Sequence, residues 1–176
     1  EEALILGDSL AESILDFRLL RKNNVVAKRG RCIDTIQGDL LFAIAMEPAV
    51  IFMEYGKNDI LRLQRAPQSF ITCYRSQIAF LKKALPDTAI YINSIIPVRS
   101  DIMERNGGER LYRLYNEALQ RMCEDLQLGF IDNSTLMKWR DELYEYDGIH
   151  PKYPYYPLWL RHMARCAGLL KDLIET

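Results

Sequence analysis

The chain reads as an α/β protein: a three-layer α/β/α sandwich on a doubly wound, five-stranded parallel sheet. Three observations carry this. Apolar runs of roughly five residues alternate with longer stretches in which apolar residues recur every three or four positions, the pattern of βαβ units. The third and fourth runs are apolar almost without interruption, as strands covered on both faces should be. A length of 176 residues with 49% hydrophobic content suits one domain, residues 1–176, with enough chain to bury a core on each side of a sheet.

Taken in order, the first strand spans Ala3–Leu6 and runs into Gly7-Asp8-Ser9-Leu10, where a helix opens. The second covers Val25–Lys28 and leads to Arg29-Gly30-Arg31, and the third, Ala49–Glu54, ends at Gly56-Lys57-Asn58-Asp59. Ile71, Tyr74, Ile78, Leu81 and Leu85 then mark an amphipathic helix. After the fourth strand, Ala89–Ile95, comes a loop, Arg99–Gly108, with Gly107-Gly108 as its hinge. Leu111, Leu114, Ala118, Met122 and Leu126 give a second helix, and Phe130–Asp132 the fifth strand. A longer loop carries Asp147-Gly148-Ile149-His150, and past the proline-rich stretch Pro151–Pro157 a last helix follows through Trp159, Met163, Cys166, Leu170 and Ile174. Right-handed crossovers bring the segments after the strands to one edge of the sheet, where ligands of such folds bind.

Composition excludes several classes. Lys and Arg number 23 against 24 Asp and Glu, a net charge of −1, so the basic field of a nucleic-acid binder is missing. The longest uninterrupted apolar run, Leu40–Met46, is far short of the roughly 20 residues that cross a bilayer, so a soluble domain is expected. The chain opens on Glu1 and enters a strand almost at once. A trimmed secretion signal or anchor therefore stays open, with the cytoplasm favoured as compartment. Cys32, Cys73, Cys123 and Cys166 lie far apart without a Cys-x-x-Cys pair or nearby histidines. They read as reduced thiols, the last three buried in helices, with no metal site and no cofactor expected.

The three loop motifs carry chemistry. A serine hydroxyl is a poor nucleophile until an imidazole takes its proton and a carboxylate holds that imidazole in one tautomer. Ser9, His150 and Asp147 are the candidates, since the other histidine, His162, falls inside a helical pattern. Asn58 can donate from its side-chain amide to a developing oxyanion. Each motif alone has a plainer explanation. Ser9-Leu10-Ala11-Glu12 fits a Ser-x-x-Glu capping box, Asp147-Gly148 a tight turn, and Gly56-Lys57-Asn58-Asp59 another turn. Their joint occurrence at one sheet edge favours the catalytic explanation.

With these residues in place, the chain resembles the GDSL or SGNH hydrolase superfamily, which carries Gly-Asp-Ser-Leu, Gly-x-Asn-Asp and a late Asp-x-x-His in this order. Ile95-Ile96-Pro97-Val98 is similar to the segment after the family's fourth strand. The resemblance implies a flavodoxin-like SGNH hydrolase fold and ester hydrolysis through an acyl-enzyme, with Ser9 as nucleophile, His150 as base and then acid, and Asp147 orienting His150. Asn58 and a backbone N–H after strand two would hold the oxyanion. Gly30 is the nearest glycine there; if Asp34-Thr35 is aligned with the family's Asp-Thr, Ile33 takes the glycine's place. Asp8 and Asp59 are given structural jobs.

The expected substrate is a small O-acyl ester, an acylated sugar or a lipid-like molecule, with a short acyl group on a carbohydrate preferred. Arg18, Arg21, Lys22, Lys28, Arg29 and Arg31 form either an anion-attracting patch or a solvated face, and Tyr144, Tyr146, Tyr153, Tyr155 and Tyr156 either line the site or anchor the last helix. The competing functions are a non-catalytic flavodoxin-like small-molecule binding module, opposed by a carboxylate, Asp8, where an anion would sit, and a metal-dependent phosphoesterase using Asp8, Asn58, Asp59, Asp147 and His150, which is short of histidines.

Overall fold

The computed structural model describes residues 3–105, 107–138 and 140–170. Five strands, β1 (Ala3–Gly7), β2 (Val25–Ala27), β3 (Val50–Glu54), β4 (Ala89–Asn93) and β5 (Gly129–Ile131), form one sheet in the order β2-β1-β3-β4-β5, every pair parallel. Each expected strand is present, with ends moved by one or two residues. The order reverses at β1, whose neighbours on either side are β2 and β3. The crevice beyond that reversal is where β1 and β3 deliver their loops.

Side chains alternate along the strands and build two cores. Leu4 and Leu6, Ile51 and Met53, and Ile90 and Ile92 face one side; Ile5 and Phe52, with Tyr91 half-buried, face the other. The first face is covered by α2 (Gln37–Met46), α4 (Pro67–Ala84) and α6 (Gly108–Leu126), and the second by α1 (Ser9–Asp16) and α8 (Tyr155–Cys166). The remaining helices are short: α3 (Lys57–Leu61), α5 (Ser100–Arg105) and α7 (Ser134–Met137). The three-layer expectation holds, and no helix among the described residues is long and apolar enough to cross a membrane.

Three local readings are corrected. The expected loop Arg99–Gly108 contains α5, and Gly108 opens α6. Helix α6 turns Tyr112, Tyr115, Leu119, Met122 and Cys123 inward and leaves Leu114 exposed, because its tyrosines bring more burial area than the leucines used to set the register. Helix α8 stops at Cys166, ahead of Gly168 at φ +67°, so Cys166 and Leu170 are exposed; Ile174 lies outside the described residues. The four cysteines are free thiols.

A buried polar knot closes the carboxyl edge between β3, β4 and β5. Asn93 Nδ2 donates to the Met53 carbonyl (3.3 Å), while its Oδ1 accepts from Asn133 Nδ2 (2.9 Å) and Trp159 Nε1 (3.0 Å). These bonds tie α8 to the sheet through Trp159, while Asn133 Oδ1 is left buried without a partner among the described residues.

Candidate active site

Ser9 follows β1 directly and stands in the first turn of α1. Asp8 takes the capping job: its Oδ1 accepts from the Leu10 N–H at 3.0 Å. Glu12, the other half of the supposed capping box, instead accepts from the Arg29 N–H at 2.9 Å. Relieved of capping, the Ser9 hydroxyl meets His150 Nε2 at 2.9 Å. The other ring nitrogen, Nδ1, lies 2.6 Å from Asp147 Oδ2. Ser9, His150 and Asp147 therefore stand in line although 141 residues separate the first two.

The loop that carries His150 is braced from all sides. Asp147 Oδ1 accepts from the N–H groups of Ile149 (2.8 Å) and His150 (3.0 Å), an Asx turn that sets the carboxylate toward the ring. Burial pushes the Asp147 carboxyl up, but its hydrogen bonds from the His150 ring and these two N–H groups outweigh that and hold it below the ordinary value. Glu145 N–H bonds the His150 carbonyl (2.7 Å), Arg99 N–H bonds that of Gly148 (2.8 Å), and the Arg99 guanidinium reaches those of Glu145 and Tyr146 at 3.5 Å each. Lys57 Nζ bonds that of Ile149 at 3.3 Å.

The opposite side of Ser9 is mostly backbone. Asn58 Nδ2 donates to Asp8 Oδ2 and to the Arg31 carbonyl, each at 3.0 Å, so the amide is held between β1 and the loop after β2. In that loop Lys28 N–H bonds Gly7 O, Arg29 N–H bonds Glu12, Arg31 N–H bonds Lys28 O, Cys32 N–H bonds Thr35 Oγ1, and Ile33 N–H bonds Asp59 Oδ2 at 3.1 Å. Between Lys28 and Ile33, Gly30 alone has an N–H without a protein acceptor among the described residues. It sits at φ +79°, a conformation glycine adopts without strain, and its carbonyl is held by Arg62 Nη1 at 2.9 Å. The Ser9 N–H, one of the four orphan donors of a helix start, is likewise open. Of the two alignments of this loop, the geometry keeps Gly30 as an open donor and spends Ile33 on Asp59.

Beneath the site lie Asp8, given a structural job from the sequence, and two groups the sequence did not single out, Glu54 and Lys57. Asp8, Glu54 and Lys57 are 0%, 3% and 2% exposed. Burial pushes the Glu54 carboxyl well up, helped by the charge of Asp8, and pushes Asp8 up as well; burial pulls the Lys57 ammonium down to about 8 against the attraction of Glu54, Asp8 and Asp147. Glu54 Oε2 has no hydrogen-bond partner among the described residues. The signal available in the sequence was a charge ending the apolar run Val50–Met53. Gly56 bends the chain here at φ +130°, and a Cβ on it would stand 2.4 Å from Ile95 Cδ1.

The residues raised as metal ligands are otherwise engaged, Asp59 with Ile33 N–H and with Arg65 in a 3.1 Å ion pair, and no cluster of three or more such groups stands ready for a metal among the described residues. Part of the basic patch is neutralised in place: Arg29 pairs with Glu12 and Asp16, and Arg31 with Asp39. Of the tyrosines, Tyr144, Tyr155 and Tyr156 are buried packing residues, Tyr153 is half-exposed, and Tyr146, beside Asp147, is 99% exposed. A cavity of about 510 Å³ lies elsewhere, lined by Ala3, Asn24 and Leu169 near the starts of β1 and β2, and has no part in the site. His162 is turned away, bonded to the Asp132 carbonyl at 3.0 Å.

Comparison with known proteins agrees with this architecture. The model of the GDSL-like Lipase/Acylhydrolase family matches residues 5–154. Among solved structures the fold is similar to that of a carbohydrate esterase family 3 protein from Talaromyces cellulolyticus (17% identity, 98% of this chain and 99% of that one, TM-score 0.75). It is similar also to a catalytic mutant of an acetylxylan esterase from Geobacillus stearothermophilus (15% identity, 96% and 94%, TM-score 0.72) and to TesA (18% identity, 97% and 100%, TM-score 0.74). No curated protein matches the chain significantly.

Proposed function

The chain belongs to the GDSL-like Lipase/Acylhydrolase family, and from that premise we propose that it is a serine esterase that hydrolyses an O-acyl ester through an acyl-enzyme on Ser9. The observation that carries this reading is the Ser9 Oγ to His150 Nε2 distance of 2.9 Å with Asp147 Oδ2 at 2.6 Å from Nδ1. In the first half-reaction Nε2 takes the hydroxyl proton as Oγ attacks the ester carbonyl, and the imidazolium then hands that proton to the leaving alkoxide. Water repeats the sequence on the acyl-enzyme. Asp147, already bonded to Nδ1, keeps Nε2 as the basic nitrogen and stabilises the transient imidazolium.

The tetrahedral oxyanion is assigned to the open N–H groups of Ser9 and Gly30 and to the Asn58 amide. Such donors are worth most where charge develops. To serve, Asn58 Nδ2 shares a hydrogen it now gives to Asp8 or Arg31 O, both of which hold the amide in place. The family supports an acyl ester as substrate, and the acetylxylan and carbohydrate esterases among the structural neighbours support a short acyl group on a carbohydrate as the preferred one.

The test is turnover of p-nitrophenyl esters from acetyl to long acyl chains by the protein and by Ser9→Ala. Short esters should be hydrolysed, and Ser9→Ala should lower kcat by about 10³-fold or more. Equal, feeble rates from both proteins on every ester would overturn the reading.

A further inference from the structure

Lys57 stands where ordinary physics disfavours a lysine. It is 2% exposed, it opens α3, where a positive charge opposes the helix dipole, and among the described residues no carboxylate is within ion-pair distance of it. A position that violates both rules persists when something else depends on it. Among the described residues its ammonium makes one hydrogen bond: Nζ to the carbonyl of Ile149, 92 residues away and immediately before His150.

That contact joins the two loops whose relative placement decides the chemistry. Asn58, the next residue, is locked to Asp8 and Arg31 O, so the start of α3 is fixed to the Ser9 side of the site. The other carbonyls of the His150 loop are held by Arg99 or by the loop itself, which give it shape but do not place it against Ser9. Among the described residues, the Lys57–Ile149 bond is the hydrogen bond that spans from the Gly56–Asp59 segment to this loop. Ile149 also supplies one of the N–H groups that orient Asp147, so the residue is held through both of its flanking peptides.

We propose that Lys57 is a positioning residue, a buried strut from the Asn58 turn to the Ile149 peptide that holds His150 Nε2 in line with Ser9 Oγ while the imidazole takes up and releases its proton. The inference rests on the esterase reading given above. Glu54 and Asp8, packed behind it, supply the negative charge that keeps an ammonium there. The strut works through a hydrogen-bond donor of fixed reach, so an uncharged donor at the same place should restore part of what an apolar chain of equal length loses.

The experiment compares the full chain with Lys57→Met and Lys57→Gln on p-nitrophenyl acetate, alongside Ser9→Ala, and follows the low-field NMR resonance of the His150 Nδ1 proton. Lys57→Met should lower kcat on the order of 10²-fold, as small misplacements of reacting groups do, with KM within about twofold. The Nδ1 resonance should shift or broaden, and Lys57→Gln should recover both in part. An unchanged kcat and an unchanged resonance in Lys57→Met would overturn the proposal, as would a Lys57→Gln variant no better than Met. If Lys57→Met fails to fold, Lys57→Gln carries the test alone: its resonance must move toward that of the parent for the strut to stand. Should Ser9→Ala leave turnover unaltered, the esterase reading falls, whereas the Nδ1 resonance still reports whether Lys57 sets the ring.

Discussion

The two sides of Ser9 are made of different material. On the His150 side three side chains stand in line, each of a type the proposed chemistry requires, and their hydrogen bonds are already formed. On the side of Lys28–Ile33 the open donors are backbone N–H groups, and the one side-chain amide, Asn58, has both acceptors it needs inside the protein. Proton transfer needs particular atoms with particular basicity, so it constrains residue identity. Oxyanion stabilisation needs only an N–H aimed at one point, so it constrains the path of the chain.

The contrast is broken most forcefully at His150. On the proposed mechanism His150→Ala should lower kcat by about 10⁴-fold or more, and Ser9→Ala combined with His150→Ala should cost little beyond either change alone, because the members act as one unit. Asn58→Ala comes next, at about 10²- to 10³-fold in kcat with KM little altered, the loss of one oxyanion donor. Steady-state kinetics on p-nitrophenyl acetate measures all of these. Were Asn58→Ala to cost as much as His150→Ala, the amide would be holding Asp8 and the start of α1 in place, and the two sides would not be separable.

A finer probe compares Gly30 with Ile33. Gly30→Ala keeps the open N–H but forces an L side chain to φ +79°, with its Cβ 2.7 Å from the Arg62 guanidinium. Left-handed backbone costs an alanine about 1–2 kcal/mol, so Tm should fall by several degrees and kcat by about tenfold as the loop shifts. Ile33→Val trims a fully buried side chain whose N–H is spent on Asp59. It should cost about 1 kcal/mol in stability and leave kcat within about twofold. The reverse ranking of the two rate effects would move the oxyanion donor to Ile33.

This difference in material explains what could be read from the amino-acid order. The five strands and their parallel direction follow from apolar runs and crossover rules, and Ser9, Asp147 and His150 stand out because the proposed chemistry resides in their side chains. Whether Gly30 or Ile33 offers its N–H was not legible, since every residue but proline has one; it took the hydrogen bonds of Arg31, Cys32 and Ile33 to single out Gly30. The inward face of α6 was misread because Tyr112 and Tyr115 bury large apolar bodies behind a polar name. Lys57 and Glu54 escaped notice for the opposite reason: charged residues are expected in water, and only the fold shows these two 2% and 3% exposed.

A small effect on rate should also come from Asp59, which grips the Ile33 N–H from below. Burial raises its carboxyl from 3.8 to about 6, against the Ile33 N–H and Arg65, which favour the ionised form. Between those values the folded chain keeps a proton that the unfolded chain has lost, so this group's contribution to stability is full below about pH 4 and declines as pH rises to about 6. Asp59→Asn retains an acceptor for Ile33 and carries no titratable proton. It should leave kcat within about threefold, while its stability relative to the parent, from urea midpoints at pH 4 and pH 6.5, should improve with rising pH. The shift corresponds to a change of at most about 3 kcal/mol, reduced by the lost 3.1 Å pairing with Arg65. A gap that does not move with pH would mean that Arg65 keeps Asp59 ionised throughout, and that the backbone side of the site is pinned by a full charge.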